Sequence, residues 1–144
     1  MSLSAEAAAV EIRNTVYGFW NAGPPTQGVK FIFPDKEDGR PTDGTSPWAE
    51  LAFSDSLSQV GGFAAEGQRR LYERFGTLTL AIYTPRGDGY TLGHSLARVV
   101  TEGLEAYCSS NGVIFRKVLA ARIGRSGNYS QINVTAEYEY NESR

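Results

Sequence analysis

From Ile132 to Tyr140 apolar side chains occupy every second position. Ile132, Val134, Ala136, Tyr138 and Tyr140 alternate with Asn133, Thr135, Glu137 and Glu139. A period of two marks a strand with one face buried and one face wet. A strand of that kind needs neighbours beside it and a layer over its apolar face.

Two stretches carry the other period. Ala5, Ala8, Ala9, Ile12, Val16, Phe19 and Trp20 recur at spacings of three and four, which predicts a helix over 4–20. Ser4 can cap its start, Glu6 suits the positive pole, and Gly23, Pro24 and Pro25 end the element. Leu96, Val99, Val100, Leu104 and Tyr107 predict a second helix, with Thr91 as its cap and the SSNG run at 109–112 as its end. Further strands are expected at Val29–Phe33, Trp48–Phe53, Arg69–Tyr83 and Val113–Ile123. In the third of these Leu78, Leu80 and Ile82 share one face. In the last, Val113, Phe115, Leu119, Ala121 and Ile123 fall on one side, with Ile114, Val118 and Ala120 on the other beside Arg116 and Arg122. The GRSGN run at 124–128 reads as a hairpin turn.

Two long connections are expected. Residues 34–47 (PDKEDGRPTDGTSP) are rich in Pro, Gly, Asp and Thr, and 54–68 (SDSLSQVGGFAAEGQ) is polar and Gly-rich. The first spans about 14 residues, close to the limit for a structureless connection in a compact domain. The order predicts an α+β fold in two layers: a mainly antiparallel or mixed sheet of four to five strands, with two helices packed on one face. One domain over 1–144 is expected at this length. The Val113–Ile123 strand is apolar on both sides, so its second face either meets another chain or lies under one of the long connections.

Few groups suited to chemistry are present. With 14 basic and 16 acidic residues the net charge is −2, which gives no chain-wide footprint for nucleic acid. One cysteine, Cys108, excludes an internal disulfide framework and any multi-cysteine metal site. One histidine, His94, excludes paired-histidine metal motifs. His94 reads as a helix-surface residue and Cys108 as a part-buried small side chain near the end of the same helix. Their separation of 14 positions is about 21 Å along a straight helix, too far for a nucleophile and its base. Asp35, Glu37 and Asp38 lack the spacing of a calcium loop. Arg86-Gly87-Asp88 reads as a turn, not as an adhesion tripeptide. Gly87 and Gly89 lack the third glycine of a dinucleotide site, and the three glycosylation-like triplets, at Asn128, Asn133 and Asn141, are weak. No apolar run is long enough for a bilayer span, and the MSLSAEAAAVEIRNT start does not read as a secretory signal. No catalytic, cofactor or metal residue is predicted. Arg69, Arg70 and Arg74, interleaved with Tyr72 and Phe75, form a local basic cluster that suits an acidic partner.

The second half, taken as a whole, resembles a known group. A Gly-and-Arg run leads into the G-x-L-x-L-x-I-x-T-P strand at Gly76–Pro85. A glycine turn at Gly87–Gly89 and an amphipathic helix at Leu92–Leu104 follow. The V-x-F strand at Val113–Phe115 and a closing segment from Gly127 to Tyr138 complete the pattern. This order is similar to that of the tail-terminator proteins of long-tailed bacteriophages, the group related to the lambda minor tail protein U. The resemblance covers about two thirds of the chain and fits the front half more loosely, through the first helix and Pro47-Trp48.

The resemblance implies a ring, expected to be a homohexamer, seated on the last ring of the tail tube. The ring would stop polymerisation and offer a surface for joining the head. Implied partners are further copies of the chain, the major tail tube protein and the head–tail connector proteins. Genome DNA would pass without specific binding, and no membrane is involved. The implied location is the virion tail, with assembly in the host cytoplasm. Candidate interface residues are Arg69, Arg70, Arg74, Phe63 and Trp48, and the 34–46 and 54–68 connections are expected to face neighbours or the tube. Alternatives are another neck protein for head closure or tail completion, a small α+β enzyme or ligand-binding domain, and a nucleic-acid binder.

Overall fold

The computed structural model describes residues 4–33, 45–63, 70–88 and 90–143, with backbone alone at 54–63, 70–72, 88 and 143. In chain order these form α1 (Ala5–Trp20), β1 (Lys30–Ile32), β2 (Trp48–Phe63), β3 (Arg70–Pro85), a one-turn 3-10 helix (Arg86–Asp88), α2 (Thr91–Leu104), β4 (Ile114–Ser126) and β5 (Tyr129–Ser143). The strands make one five-stranded sheet in the order β1-β2-β3-β5-β4. β1 runs parallel to β2 and every other pair is antiparallel, so the sheet is mixed. With its two helices the chain has the expected α+β architecture.

Register explains the core. Ala49, Ile82 and Ile132 lie side by side across β2, β3 and β5, as do Leu51, Leu80 and Val134. Phe53, Leu78 and Ala136 form the next row, and Phe115 of β4 lies opposite Tyr138. These rows pack under Leu96, Ala97, Val100 and Leu104 of α2 and under Ala8, Ile12, Val16 and Trp20 of α1 in one cluster. The strand alternation and the i, i+4 stripe of α1 therefore bury the sides their periods select.

Ser4 caps α1 as expected, its Oγ accepting from the Ala7 amide at 3.2 Å. At the other end the Thr26 hydroxyl donates to the Trp20 carbonyl, and Trp20 Nε1 donates to the Val29 carbonyl at 3.1 Å. These bonds turn the chain from α1 into β1.

Four expectations are corrected. Residues 54–63 are not a connection: β2 continues through them, paired to β3 as far as Phe63 opposite Arg70. Their Ser, Asp and Gly content hides a strand whose pairing β3 supplies, with irregularities at 55/57 and 60/62. The remainder of that segment, like 34–44 of the first, lies outside the described residues. Thr91 is not the cap of α2. Tyr90 occupies that position in helical geometry with no side-chain cap bond, so Thr91 is already inside the helix and its carbonyl accepts from Ser95 Oγ. Cys108 is exposed and lies beyond the end of α2 at Leu104.

The fourth correction concerns β4. The pairing passes from Arg116 opposite Glu137 to Leu119 opposite Thr135, with one residue too many on β4 and Lys117 in the left-handed region at φ 52. A bulge of this kind inverts the alternation beyond it. Leu119 therefore leaves the side of Phe115 and is 54% exposed, while Val118 turns toward the core. A second irregularity between Arg122 and Gly124 leaves Ile123 55% exposed.

Candidate assembly surfaces

Among the described residues no group of three or more His, Cys, Asp or Glu side chains is placed to hold a metal ion. His94 is exposed, as expected, and its Nε2 accepts from Arg122 Nε at 3.3 Å. Arg122 also sits over the Tyr90 ring at 4.8 Å, so His94 belongs to a surface stack. Three surfaces of distinct shape and charge stand out among the described residues.

The first is the outward side of α1. Ala8, Ile12, Val16 and Trp20 face the core, which turns Ala7, Val10, Asn14, Tyr17 and Gly18 outward. Val10 is 46% exposed. Of these, Ala7, Val10, Asn14 and Gly18, with Phe19 and Tyr107, border an open groove of about 990 Å³ whose charged members among the described residues are Glu6 and Glu11. Glu11 is oriented by neutral donors, Ser109 Oγ at 2.9 Å and Asn111 Nδ2 at 2.8 Å, so its charge is not cancelled there.

The second is β4, which ends the sheet. It carries Arg116, Lys117, Arg122 and Arg125 and no acidic residue. Glu139 pairs with Arg116 at 2.7 Å and Glu137 with Lys117 at 3.3 Å, both from β5. Arg122 and Arg125 have no carboxylate partner among the described residues. Leu119 and Ile123 stand exposed between these cations.

The third is the sheet face away from the helices. Thr77, Thr79, Asn133 and Thr135 share it, with Gln131 Nε2 donating to Asn133 Oδ1 at 2.8 Å. At one end it carries a buried cluster of Ile32, Trp48 and Tyr129, with Tyr83 packed against it. Trp48 stacks on Tyr83 with ring centroids 4.2 Å apart, and Tyr129 meets Trp48 edge-on.

The candidate interface residues fall at two separate ends of the β2–β3 hairpin. Trp48 is opposite Tyr83 at one end and is buried, with its Nε1 lacking a hydrogen-bond partner among the described residues. Phe63 and Arg70 are opposite each other at the other end, where only backbone is described, and Arg69 lies outside the described residues. Arg74 points into the fold. Its Nε and Nη2 both reach Glu142 Oε1, at 3.0 and 2.6 Å, while Glu142 Oε2 accepts from the Ala5 amide. Arg74 thereby ties β3 to the end of β5 and the start of α1. Val10, a groove residue that the expected interface set does not include, is apolar, off the buried stripe and on the wet side of a helix, a signal present in the sequence.

No protein-family model matches the chain, and no curated protein matches it. Solved structures do. A chain from the virion of a native gene transfer agent particle aligns with a TM-score of 0.54 at 15% identity, covering 95% of this chain and 99% of that one. A second solved chain, which carries no functional description, aligns with a TM-score of 0.54 at 16% identity, over 92% of this chain and 91% of that one. At such identities the likeness is one of fold.

Proposed function

We propose that this chain is a structural component of a phage-like virion, and within it the tail terminator. It forms a ring that caps the tail tube, stops its polymerisation and presents the surface to which the head is joined. The observation that carries the reading is the likeness of fold to a chain of a gene transfer agent virion, end to end in both chains. The strand and helix order from Gly76 to Tyr138, similar to that of the terminator group, supports the finer assignment.

The work is contact and occlusion. Identical subunits that dock through two different patches close into a ring when the rotation per subunit divides a full turn. Such a ring over the growing end hides the surface the next tube subunit needs. Its partners are further copies in a homohexamer, the tube protein below and the connector proteins above. Arg69 and Arg70 are proposed to meet an acidic partner surface. A net charge of −2 suits a conduit through which DNA passes without being held. The protein then resides in the virion tail after assembling in the host cytoplasm.

Deleting the gene from a producing virus and measuring tails by electron microscopy tests this reading. Overlong, polydisperse tails are expected. Normal tails beside open or leaky heads would assign the chain to head closure, and unaltered particles would refute a virion role.

A further inference from the structure

We propose that the β4 edge of one copy docks in the α1 groove of the next. This rests on the ring-forming reading above and adds the pair of surfaces that joins the subunits. The two surfaces complement each other in charge and in shape. The charged members of the groove are Glu6 and Glu11, both acidic, and Glu11 is held by neutral groups. The edge carries four cations and no acid, and Arg122 and Arg125 have no carboxylate of their own among the described residues.

Apolar matter is arranged the same way. Leu119 and Ile123 project from the edge by more than half their surface, each put there by an irregularity in the pairing of β4. In the groove, Val10 and Tyr107 offer apolar walls, and nothing lies within 4 Å of where a Cβ on Gly18 would stand. An incoming aliphatic side chain can therefore approach the backbone of α1. A branched aliphatic flanked by arginines fits a low apolar floor flanked by glutamates.

The two surfaces share no residue and belong to different elements, so every copy carries both. Docked in one direction, head to tail, such copies build a ring or a filament. The 12 residues lining the groove are fewer than the roughly 20–30 a side of a standard interface. One contact alone is accordingly modest but is expected to register by about 1 mM, and closure of the ring adds to it.

Sedimentation velocity of the full-length chain over a concentration series up to about 1 mM reads this out. The wild type is expected to associate with concentration. Val10→Asp and Leu119→Asp, both at exposed positions, are each expected to weaken association by about 30-fold or more, because each buries an unpaired charge in the contact. The charge reversals Glu6→Lys and Arg125→Glu check the same surfaces without altering apolar packing. Unchanged circular dichroism confirms that each variant is folded.

An equimolar mixture of Val10→Asp and Leu119→Asp is the deciding sample. One partner keeps an intact edge and the other an intact groove, so dimers should form and growth should stop at two. If the wild type associates and both variants match it, these surfaces are wrong while the ring reading stands. A mixture that stays monomeric up to the same concentration although the wild type associates also overturns the pairing. A wild type that remains monomeric at every concentration refutes the ring reading itself.

Discussion

Alanine in place of Gly103 should destabilise the protein, although the same exchange in a helix is ordinarily favourable. Gly103 is the next-to-last residue of α2, and Gly18 lies near the end of α1. Replacing a helical glycine by alanine gains about 0.5–1 kcal/mol through the smaller entropy loss of the backbone. At Gly18 nothing lies within 4 Å of the new Cβ, so the gain should appear in full. At Gly103 the new Cβ would stand 2.6 Å from both Cγ and Cδ1 of Phe19 and 3.0 Å from Cδ2. These atoms are the root of the ring, so a small rotation of its tip does not clear the clash. The ring is also set edge-on against Tyr107 at 5.2 Å. Forcing α1 and α2 apart at that point costs about 1–3 kcal/mol, which outweighs the helix gain. The net loss at Gly103 should be about 1 kcal/mol, a fall of roughly 4 °C in melting temperature. Urea unfolding of the two variants measures both signs in one assay. In a Phe19→Leu background the Gly103→Ala penalty should shrink, because the two side chains share one contact. A Gly103→Ala midpoint at or above wild type would refute the account of how the helices pack.

Arg74→Met should cost about 3 kcal/mol in chemical denaturation, because it leaves the Glu142 carboxylate, 8% exposed, without its guanidinium, and a loss under about 1 kcal/mol would show that water screens the pair. Glu102→Gln should change stability by less than about 0.5 kcal/mol, since the Arg98–Glu102 pair spans 3.9 Å between side chains 75% and 70% exposed. Ser4→Ala should cost about 1 kcal/mol through the lost α1 cap, and Ser4→Asp should hold or recover it; equal losses in both would show that the Ala7 amide is satisfied by water instead.

What the sequence determined by itself is local. The period of two in Ile132–Tyr140 and the i, i+4 stripe of α1 select buried faces by geometry alone, whatever those faces pack against. Ser4 capped its helix because a cap reaches only three residues. What tertiary structure decided is non-local. Residues 54–63 are a strand because β3 pairs with them, not because of their own composition. Leu119 faces outward because β4 holds one residue more than β5 across the bulge, a count that exists only once two strands are in register. Arg74 belongs to Glu142, 68 positions away, and no charge pattern along the chain announces that partner. The α1 groove stands between these cases: the outward Val10 was visible in the helical period, but the walls around it come from Phe19 and Tyr107, brought together only when α1 crosses the end of α2.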